Sequence, residues 1–231
     1  IYMWPGGRST TLHTKKLVKD LAPLLGAARS EFSEAALAPQ AGGYLAELPI
    51  GITSTHVLYV NEKMLKDLGL TVPKTYEELK AMAPKLKAAG KDVILMGAQD
   101  DWVMQSCLYS AIVGRMLGDK YVDDLIAGKA KFTDAPFVNT LKFYKQLYTD
   151  GVLSTKSLQT PYNEVNGLFA SGKAPFMIDG DWKVGNFLTD ATTGEALISP
   201  DKQKDIGMTV FPAIPGEINH LTTSTVVGVG F

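Results

Sequence analysis

The sequence predicts an α/β fold, because short apolar runs alternate with amphipathic helical segments along its 231 residues. VILMGA, residues 93–98, is one such run, and the segments on either side have apolar residues at helical spacing. Strands that alternate with helices in this way favour a largely parallel sheet. Hydrophobic residues make up 45% of the chain and charged residues 20%, which is ordinary for one large or two small globular domains.

The predicted helices have recognisable start signals and apolar faces. TYEELKAMAPKLKAAG, residues 75–90, begins with the capping-box pair Thr75 and Glu78. Its apolar face is formed by Tyr76, Leu79, Met82, Ala83 and Leu86. An apolar helix is expected over about residues 102–117, and residues 134–151 repeat the amphipathic design.

The charges and cysteines exclude several classes of function. Lys and Arg total 23 against 24 Asp and Glu, so no net charge attracts nucleic acid or an anionic membrane. Cys107 is the only cysteine, which excludes an internal disulfide and a cysteine-rich zinc site. The three histidines show no paired spacing and the sequence has no Gly-rich phosphate loop, so we expect neither a metal nor another cofactor. No apolar run is long enough to span a bilayer.

Each of the three tryptophans follows a strand-like run. PFMIDGDW, residues 175–182, reads as a strand that ends in two carboxylates, Gly180 and Trp182, while Trp4 and Trp102 follow other apolar runs. Ligands of open α/β sheets gather beyond the carboxyl ends of the strands. A flat indole covers the C–H face of a sugar, and neighbouring carboxylates accept hydrogen bonds from its hydroxyls. The recurrence of tryptophan at strand ends therefore predicts a carbohydrate site.

Structural roles are the alternative for these residues. A tryptophan near a helix start is often a partly buried packing residue, and Asp181 suits a helix N-cap. Asp179 would point to the face opposite Ile178 and lie in solvent. His56, within a strand-like run, suits a buried, hydrogen-bonded histidine, and Cys107 suits an apolar core.

Four segments resemble extracellular solute-binding proteins of ABC transporters, the sugar-binding kind related to maltose-binding protein. Residues 47–90 resemble the family's hinge-crossing segment. In the family this segment contains a strand with a proline, then a short helix, then the pattern P-x-T-[WY]-[ED]-E-L. Val60-Asn61 stands where the family usually has Tyr-Asn. LFASGKAPFMIDGDW resembles F-x-x-G-K-A-A-M-x-x-x-G-x-W, and IGMTVFPAIPG resembles G-x-x-x-x-P-x-P-G. Residues 1–25 resemble the end of the family's first lobe, where a W-x-G-G-like turn precedes G-x-L-x-D-L-T-P. The likeness covers nearly the whole chain.

This resemblance implies an α/β, periplasmic-binding-protein-like (type II) fold whose two lobes close on a solute. Residues 1–50 would be the end of the first, N-terminal lobe, residues 51–226 the second lobe, and residues 227–231 the second hinge crossing back to the first lobe. Family members are longer, so we expect this chain to be a fragment without the start of the first lobe and without a helical C-terminal part.

The resemblance also implies a function and a location. The protein would be the extracytoplasmic substrate-binding component of an ABC importer, in the periplasm or at the cell surface, and would bind a sugar or oligosaccharide between two lobes. Its partners would be the carbohydrate ligand and the transporter's permease, with no nucleic acid and no membrane contact except through the permease or a lipid anchor. No cofactor, metal or catalytic residue is implied.

The family's aromatic ligand contacts map onto Trp4, Trp102 and Trp182 in this sequence. Asp181 occupies the variable position before the last of these. The other ligand-binding candidates lie beside the predicted rings or near the hinge, and they are Asp100, Asp101, Gly180, Ser54, His56 and Arg8.

Two other functions stay open. A carbohydrate-active enzyme would use Asp179 and Asp181 as an acid–base pair, but glycosidases need carboxylates about 5–10 Å apart across the scissile bond. Two aspartates separated by one glycine do not obviously provide that spacing. A binding protein for another solute, such as a polyamine, would use aromatic rings with acids, and this sequence offers both.

Overall fold

The computed structural model describes residues 2–5, 12, 15–34, 36–37, 45–220 and 224–230. The chain divides into two compact units, one of residues 1–54 with 224–231 and one of residues 55–223. The smaller unit therefore contains both ends of the chain, and the larger unit is one continuous segment.

The described residues form seven strands, distributed over both units, and eight α-helices. The strands of the described residues are β1 (Tyr2–Pro5), β2 (Glu47–Ser54), β3 (Val57–Asn61), β4 (Ile94–Leu95), β5 (Phe176–Asp179), β6 (Ile206–Thr209) and β7 (Ser224–Gly230). The α-helices are α1 (Glu62–Asp67), α2 (Tyr76–Ala88), α3 (Asp101–Met104), α4 (Ser110–Ile126), α5 (Ala135–Thr149), α6 (Val165–Ala170), α7 (Val184–Phe187) and α8 (Pro200–Gln203). A π-helical turn spans Gln105–Tyr109, and 3-10 helices span Ala22–Leu24, Gly26–Glu31, Thr155–Gln159 and Asp181–Lys183.

The smaller unit contains an antiparallel sheet in which β7 lies between β1 and β2. The register of β2 shifts between Pro49 and Gly51. Proline has no N–H to donate to a ladder, so an irregularity at this point is expected. Three buried leucines form a small core in this unit, and they are Leu21, Leu37 and Leu45.

The larger unit contains a sheet with the strand order β4–β5–β3–β6. β4 and β5 are parallel, whereas β3 is antiparallel to both β5 and β6. The expectation of a largely parallel sheet is therefore wrong. Apolar patterning indicates that a strand is buried, but the relative direction of two strands depends on how the chain returns to the sheet.

The helix predicted at residues 75–90 is α2, and its capping is confirmed. Thr75 Oγ1 accepts a hydrogen bond from Glu78 N at 3.2 Å. The buried face belongs to the main hydrophobic core and consists of Tyr76, Leu79, Met82 and Leu86. Burial of one leucine side chain contributes about 1.5–3 kcal/mol, so this face holds the helix on the sheet.

The helical segment that begins at Asp101 runs through the π-helical turn into α4. Gly118 has φ 73° and ψ 169° inside α4, so the regular helix is interrupted one residue after the predicted end at residue 117. Glycine adopts this positive φ without steric cost. Cys107 is fully buried in the π-helical turn, which confirms its place in the core.

The described residues contain neither a helix suited to cross a membrane nor a cluster of metal-ligating side chains. None of the helices in these ranges combines the length and the hydropathy that a membrane crossing requires. In the same part of the chain, His, Cys, Asp and Glu side chains do not form a group of three or more that could hold a metal ion.

Candidate functional site

The candidate site lies where β4 and β5 end. The two strands are parallel neighbours in register, so both carboxyl ends lie at the same edge of the sheet. α3, which carries Trp102, follows β4, and the 3-10 helix that carries Trp182 follows β5. Parallel pairing thus brings together two tryptophans that are far apart in the sequence.

The two indole rings are close to each other and exposed. The ring centroids of Trp102 and Trp182 are 6.0 Å apart, with 46° between the ring planes. The exposed fractions of the two residues are 38% and 37%. Both residues therefore keep exposed surface that is available to a ligand.

Tyr162 is a third ring at this edge, which sequence reasoning did not identify. Its ring centroid lies 4.9 Å from that of Trp102 in an edge-to-face arrangement. Its hydroxyl oxygen accepts a hydrogen bond from Trp182 Nε1 at 2.7 Å. Tyr162 lies in a loop, so a search for aromatic residues at strand ends does not find it. We refer to Trp102, Tyr162 and Trp182 as the aromatic platform.

The loop that carries Tyr162 is docked on the residues that follow β4. Gln99 N donates to Thr160 O at 3.1 Å, and Tyr162 N donates to Asp100 Oδ2 at 2.9 Å. A Cβ atom at Gly97 would lie 2.8 Å from Tyr162 Cα, which is closer than Cβ atoms approach in real proteins. Glycine at this position therefore permits the close approach of the loop.

Gly180 allows Trp182 to fold back over the end of β5. A Cβ atom at Gly180 would overlap the six-membered ring of Trp182. The hydroxyl of Tyr59 in β3 donates to Gly180 O at 2.8 Å and holds this turn against the sheet. Gly180 thus supports the platform, and its contact with a ligand stays a prediction.

Three candidate carboxylates lie next to the platform in the chain. Asp101 is the exposed first residue of α3, and Asp181 is the half-buried first residue of the 3-10 helix. Asp100 uses one oxygen to accept the N–H of Tyr162. Gly180 occupies the N-cap position of the 3-10 helix, and no side chain caps that helix. The N-cap role considered for Asp181 is therefore wrong.

A buried charged pair lies beneath the platform. Asp179 is fully buried, so the expectation that its carboxylate is solvated is wrong. Its Oδ1 accepts a hydrogen bond from Gly180 N at 2.8 Å, and its Oδ2 lies 3.8 Å from Lys183 Nζ. Lys183 is also buried, and its Nζ lies 3.3 Å from the centroid of the Tyr162 ring.

Burial dominates the electrostatics of this pair. It raises the pKa of Asp179 to about 6, although the Gly180 N–H and the charge of Lys183 act in the opposite direction. Burial lowers the pKa of Lys183. Burial and the negative charge of Asp179 together raise the pKa of the Tyr162 hydroxyl. A buried, lysine-paired carboxylate does not reach a substrate, so the arrangement gives no support to Asp179 and Asp181 as glycosidase acid and base.

The remaining candidates lie elsewhere or outside the described residues. Ser54 ends β2 opposite Ser224 and is half-buried. His56 is buried with its Nε2 2.6 Å from Ser110 Oγ, an environment typical of a packed histidine. The backbone of Trp4 pairs with Gly228 in the sheet of the smaller unit, whereas its side chain and all of Arg8 lie outside the described residues. Ligand contact by any of these residues stays a prediction.

Comparisons with known proteins give one family. Residues 1–230 match the profile of the bacterial extracellular solute-binding proteins. A probable sugar-binding periplasmic protein of Rhizobium meliloti (strain 1021) is 28% identical over an alignment of 152 positions that covers 63% of this chain and 34% of that protein. The sn-glycerol-3-phosphate-binding periplasmic protein of Yersinia pestis bv. Antiqua (strain Antiqua) is 30% identical over 105 residues, 41% of this chain and 24% of that protein.

One similar solved structure is that of a chitin oligosaccharide binding protein. It is 25% identical in sequence, has a TM-score of 0.81, and matches 99% of this chain and 56% of that chain. This chain therefore spans about a third of the length of the Rhizobium relative and about half of the length of the chitin oligosaccharide binding protein.

Proposed function

Because this chain belongs to the bacterial extracellular solute-binding protein family, we propose that the whole protein binds a neutral sugar or oligosaccharide for an ABC importer. The family confirms three expectations from the sequence: the periplasmic-binding-protein-like α/β fold, the extracytoplasmic location, and a binding role instead of an enzymatic one. The ligand class, the permease partner and the assignment of residues 51–226 to the second lobe belong to the proposal.

The aromatic platform is the observation that carries the carbohydrate proposal. Its three rings contact one another and satisfy the Trp182 N–H internally, while Trp102 and Trp182 keep exposed surface. Exposed, mutually braced rings suit the apolar face of a pyranose, because the indoles lose little side-chain freedom when a sugar binds.

The charges beside the platform favour a neutral ligand over an anionic one. Asp101 is exposed and Asp181 is half-buried, and each precedes a platform tryptophan in the chain. The ammonium group of Lys183 lies beneath Tyr162, where it is buried. Carboxylates accept hydrogen bonds from sugar hydroxyls but repel phosphate and carboxylate groups. We therefore expect discrimination against sn-glycerol 3-phosphate, the ligand named for the Yersinia relative.

A polyamine is the second candidate ligand. The same carboxylates next to exposed rings would attract a flexible cation through ion pairs and cation–π contacts. A neutral sugar would instead stack on the ring faces. The mutual contact of Trp102 and Trp182, which fixes their orientation, favours such stacking.

A thermal-shift panel on the full-length protein tests the proposal. The panel contains maltose, cellobiose and chitobiose as neutral sugars, spermidine and putrescine as polyamines, and sn-glycerol 3-phosphate. A ligand present at about 100 times its Kd stabilises the folded state by about 2.7 kcal/mol and raises the melting temperature. We expect a shift with at least one neutral sugar and none with glycerol phosphate. A shift with polyamines alone would replace the proposal by the second candidate.

A further inference from the structure

We propose that the buried pair of Asp179 and Lys183 positions the aromatic platform, so that the charge state of the pair controls the affinity of the platform for its ligand. The part of this inference that concerns affinity rests on the proposed function. The part that concerns the orientation of the rings depends on this chain alone.

Lys183 is in direct contact with one platform ring. Its ammonium nitrogen lies 3.3 Å from the centroid of Tyr162, and the side chain is 3% exposed. A cation–π contact is stronger when the cation is removed from water. Lys183 therefore restrains Tyr162 at its face, while Trp102 contacts the same ring edge to face.

The restraint on Tyr162 extends to Trp182 through a hydrogen bond. Trp182 Nε1 donates to the Tyr162 hydroxyl at 2.7 Å, so the orientation of one ring defines the position of the acceptor for the other. The Trp182 ring also lies against Gly180, whose N–H is bonded to Asp179 Oδ1. Asp179 and Lys183 thus support the platform at two points.

A role in stability alone does not explain why this pair is buried. Two charges removed from water lose hydration that their mutual attraction often fails to recover, and apolar replacements are frequently as stable. Within the described residues, Asp179 Oδ2 has no hydrogen-bond partner and relies on Lys183 at 3.8 Å. The pair therefore contributes little to stability after the loss of hydration, but it places the Lys183 ammonium group against the Tyr162 ring.

Several groups face Asp179 from the elements packed around it. Lys183 and the indole of Trp182, whose hydrogen bonding lowers the pKa of Asp179, come from the 3-10 helix. Cys107 Sγ lies 3.9 Å from Oδ1 in the π-helical turn, and Tyr59 and Tyr162 come from β3 and the docked loop. Burial raises the pKa values of the Cys107 thiol and of both tyrosines, so these three stay neutral between pH 5 and pH 8.

The carboxyl of Asp179 has a pKa of about 6, raised by burial. Above this pH its carboxylate is charged and attracts Lys183. Below this pH Lys183 loses the attraction, and its hold on Tyr162 weakens. The affinity for ligand should accordingly fall as the pH is lowered through about 6.

The chain offers a matched control for this pair. Lys63 and Asp67 in α1 have the same spacing of four residues and an N–O distance of 2.6 Å, but both side chains are 59% exposed. Their replacement changes the same charges without touching the platform. An exposed pair of this kind contributes little to stability.

The test compares Asp179→Asn, the double variant Asp179→Asn/Lys183→Met and the control Lys63→Met/Asp67→Asn in the full-length protein. Calorimetry measures affinity at pH 5 and pH 7.5 for the neutral sugar of the panel that gives the largest thermal shift. NMR without ligand follows the indole N–H resonance of Trp182 with pH, and the loss of that resonance in Trp182→Phe assigns it.

In the wild type we expect the indole resonance to shift with a midpoint near pH 6. In Asp179→Asn this transition should be absent. At pH 7.5 the double variant should bind the sugar about three- to thirtyfold more weakly, the range that spans exposed to desolvated cation–π contacts. The control should match the wild type in both measurements.

The possible failures are distinguishable. If both Asp179 variants keep the wild-type resonance, affinity and pH profile, the positioning role is wrong even where the sugar proposal holds. If the wild type binds no sugar, the proposed function is wrong, and the positioning of the rings is supported where Asp179→Asn also changes the NMR contacts between the Trp182 and Tyr162 rings; unchanged ring contacts would overturn it. Should Asp179→Asn fail to fold because Lys183 is left buried without its partner, the double variant, which removes both charges, supplies both measurements.

Discussion

The indole nitrogen of Trp182 donates a hydrogen bond to the hydroxyl oxygen of Tyr162 at 2.7 Å, although the two residues are 20 positions apart in the chain. The bond joins the segment that follows β5 to the loop docked beyond β4. It satisfies the one polar atom of the indole ring within the platform, so the exposed part of that ring is apolar. This relationship, together with the contact of both rings with Trp102, makes the platform a single unit.

Replacement of Trp182 by alanine tests the platform as the ligand surface. In the full-length protein, Trp182→Ala should reduce sugar affinity by about 1–3 kcal/mol and leave the fold intact, because the ring is partly exposed. Isothermal titration calorimetry measures the change. Phe132→Ala is the control, since Phe132 is a 66% exposed ring that contacts Phe137 and not the platform. Equal affinities for the two variants would contradict the assignment.

Gly180→Ala tests the support beneath Trp182. The added methyl group would overlap the Trp182 ring, so the ring must move. Overpacking of this kind costs about 1–3 kcal/mol of stability, and we expect an affinity loss similar to that of Trp182→Ala. Thermal melting and calorimetry measure the two effects. Gly185→Ala is the control because a Cβ atom there meets nothing within 4 Å, and unchanged binding by both variants would be evidence against the role of Gly180.

Tyr162→Phe separates the hydroxyl of Tyr162 from its ring. The variant keeps the ring contacts with Trp102 and Lys183 but removes the acceptor for Trp182 Nε1. We expect it to lower affinity by about 0.5–1.5 kcal/mol, the net contribution of one hydrogen bond. Tyr109→Phe removes a comparable hydroxyl, 2.7 Å from Thr140 Oγ1, and should leave affinity unchanged. A loss of affinity in both variants, or in neither, would refute a specific role for the Tyr162 hydroxyl.

His56 should make the folded state sensitive to acid. Burial and the charge of Arg115 lower its pKa from 6.5 to about 4. The unfolded chain therefore binds a proton between these values while the folded protein does not, so stability falls as the pH drops below 6.5. Between pH 7 and pH 5 this contribution amounts to about 2 kcal/mol. Urea unfolding at the two pH values should show a smaller loss for His56→Gln than for the wild type.

Asp179 contributes to the pH dependence with the opposite sign. Its folded-state pKa of about 6 lies above the ordinary value of 3.8, so the folded protein holds the extra proton between these values and is stabilised as the pH falls through 6. Asp179→Asn should therefore lose more stability than the wild type between pH 7 and pH 5. Parallel pH profiles for the wild type and both variants would show that neither group titrates as described.

The local elements were predictable because their signals lie within a few residues. Thr75 and Glu78 mark the start of α2, and its apolar spacing identifies the buried face. Trp102 and Trp182 were found because each follows a strand. Tyr162 was not found, since its place at the platform depends on a loop that packs against Gly97 and bonds to Asp100. The burial of Asp179 does not follow from the sequence, because alternation along a strand does not show what covers each of its faces.

By itself, the sequence determined the kind of element each segment forms, the family to which the chain belongs, and two rings of the candidate site. These properties depend on residue type and short-range spacing, which the chain carries in any conformation. The tertiary structure alone decided that β3 runs antiparallel to its neighbours, that a third ring joins the platform, and that a buried ion pair lies beneath it. Those outcomes depend on contacts between segments distant in sequence, and they exist only once loops and strands pack together.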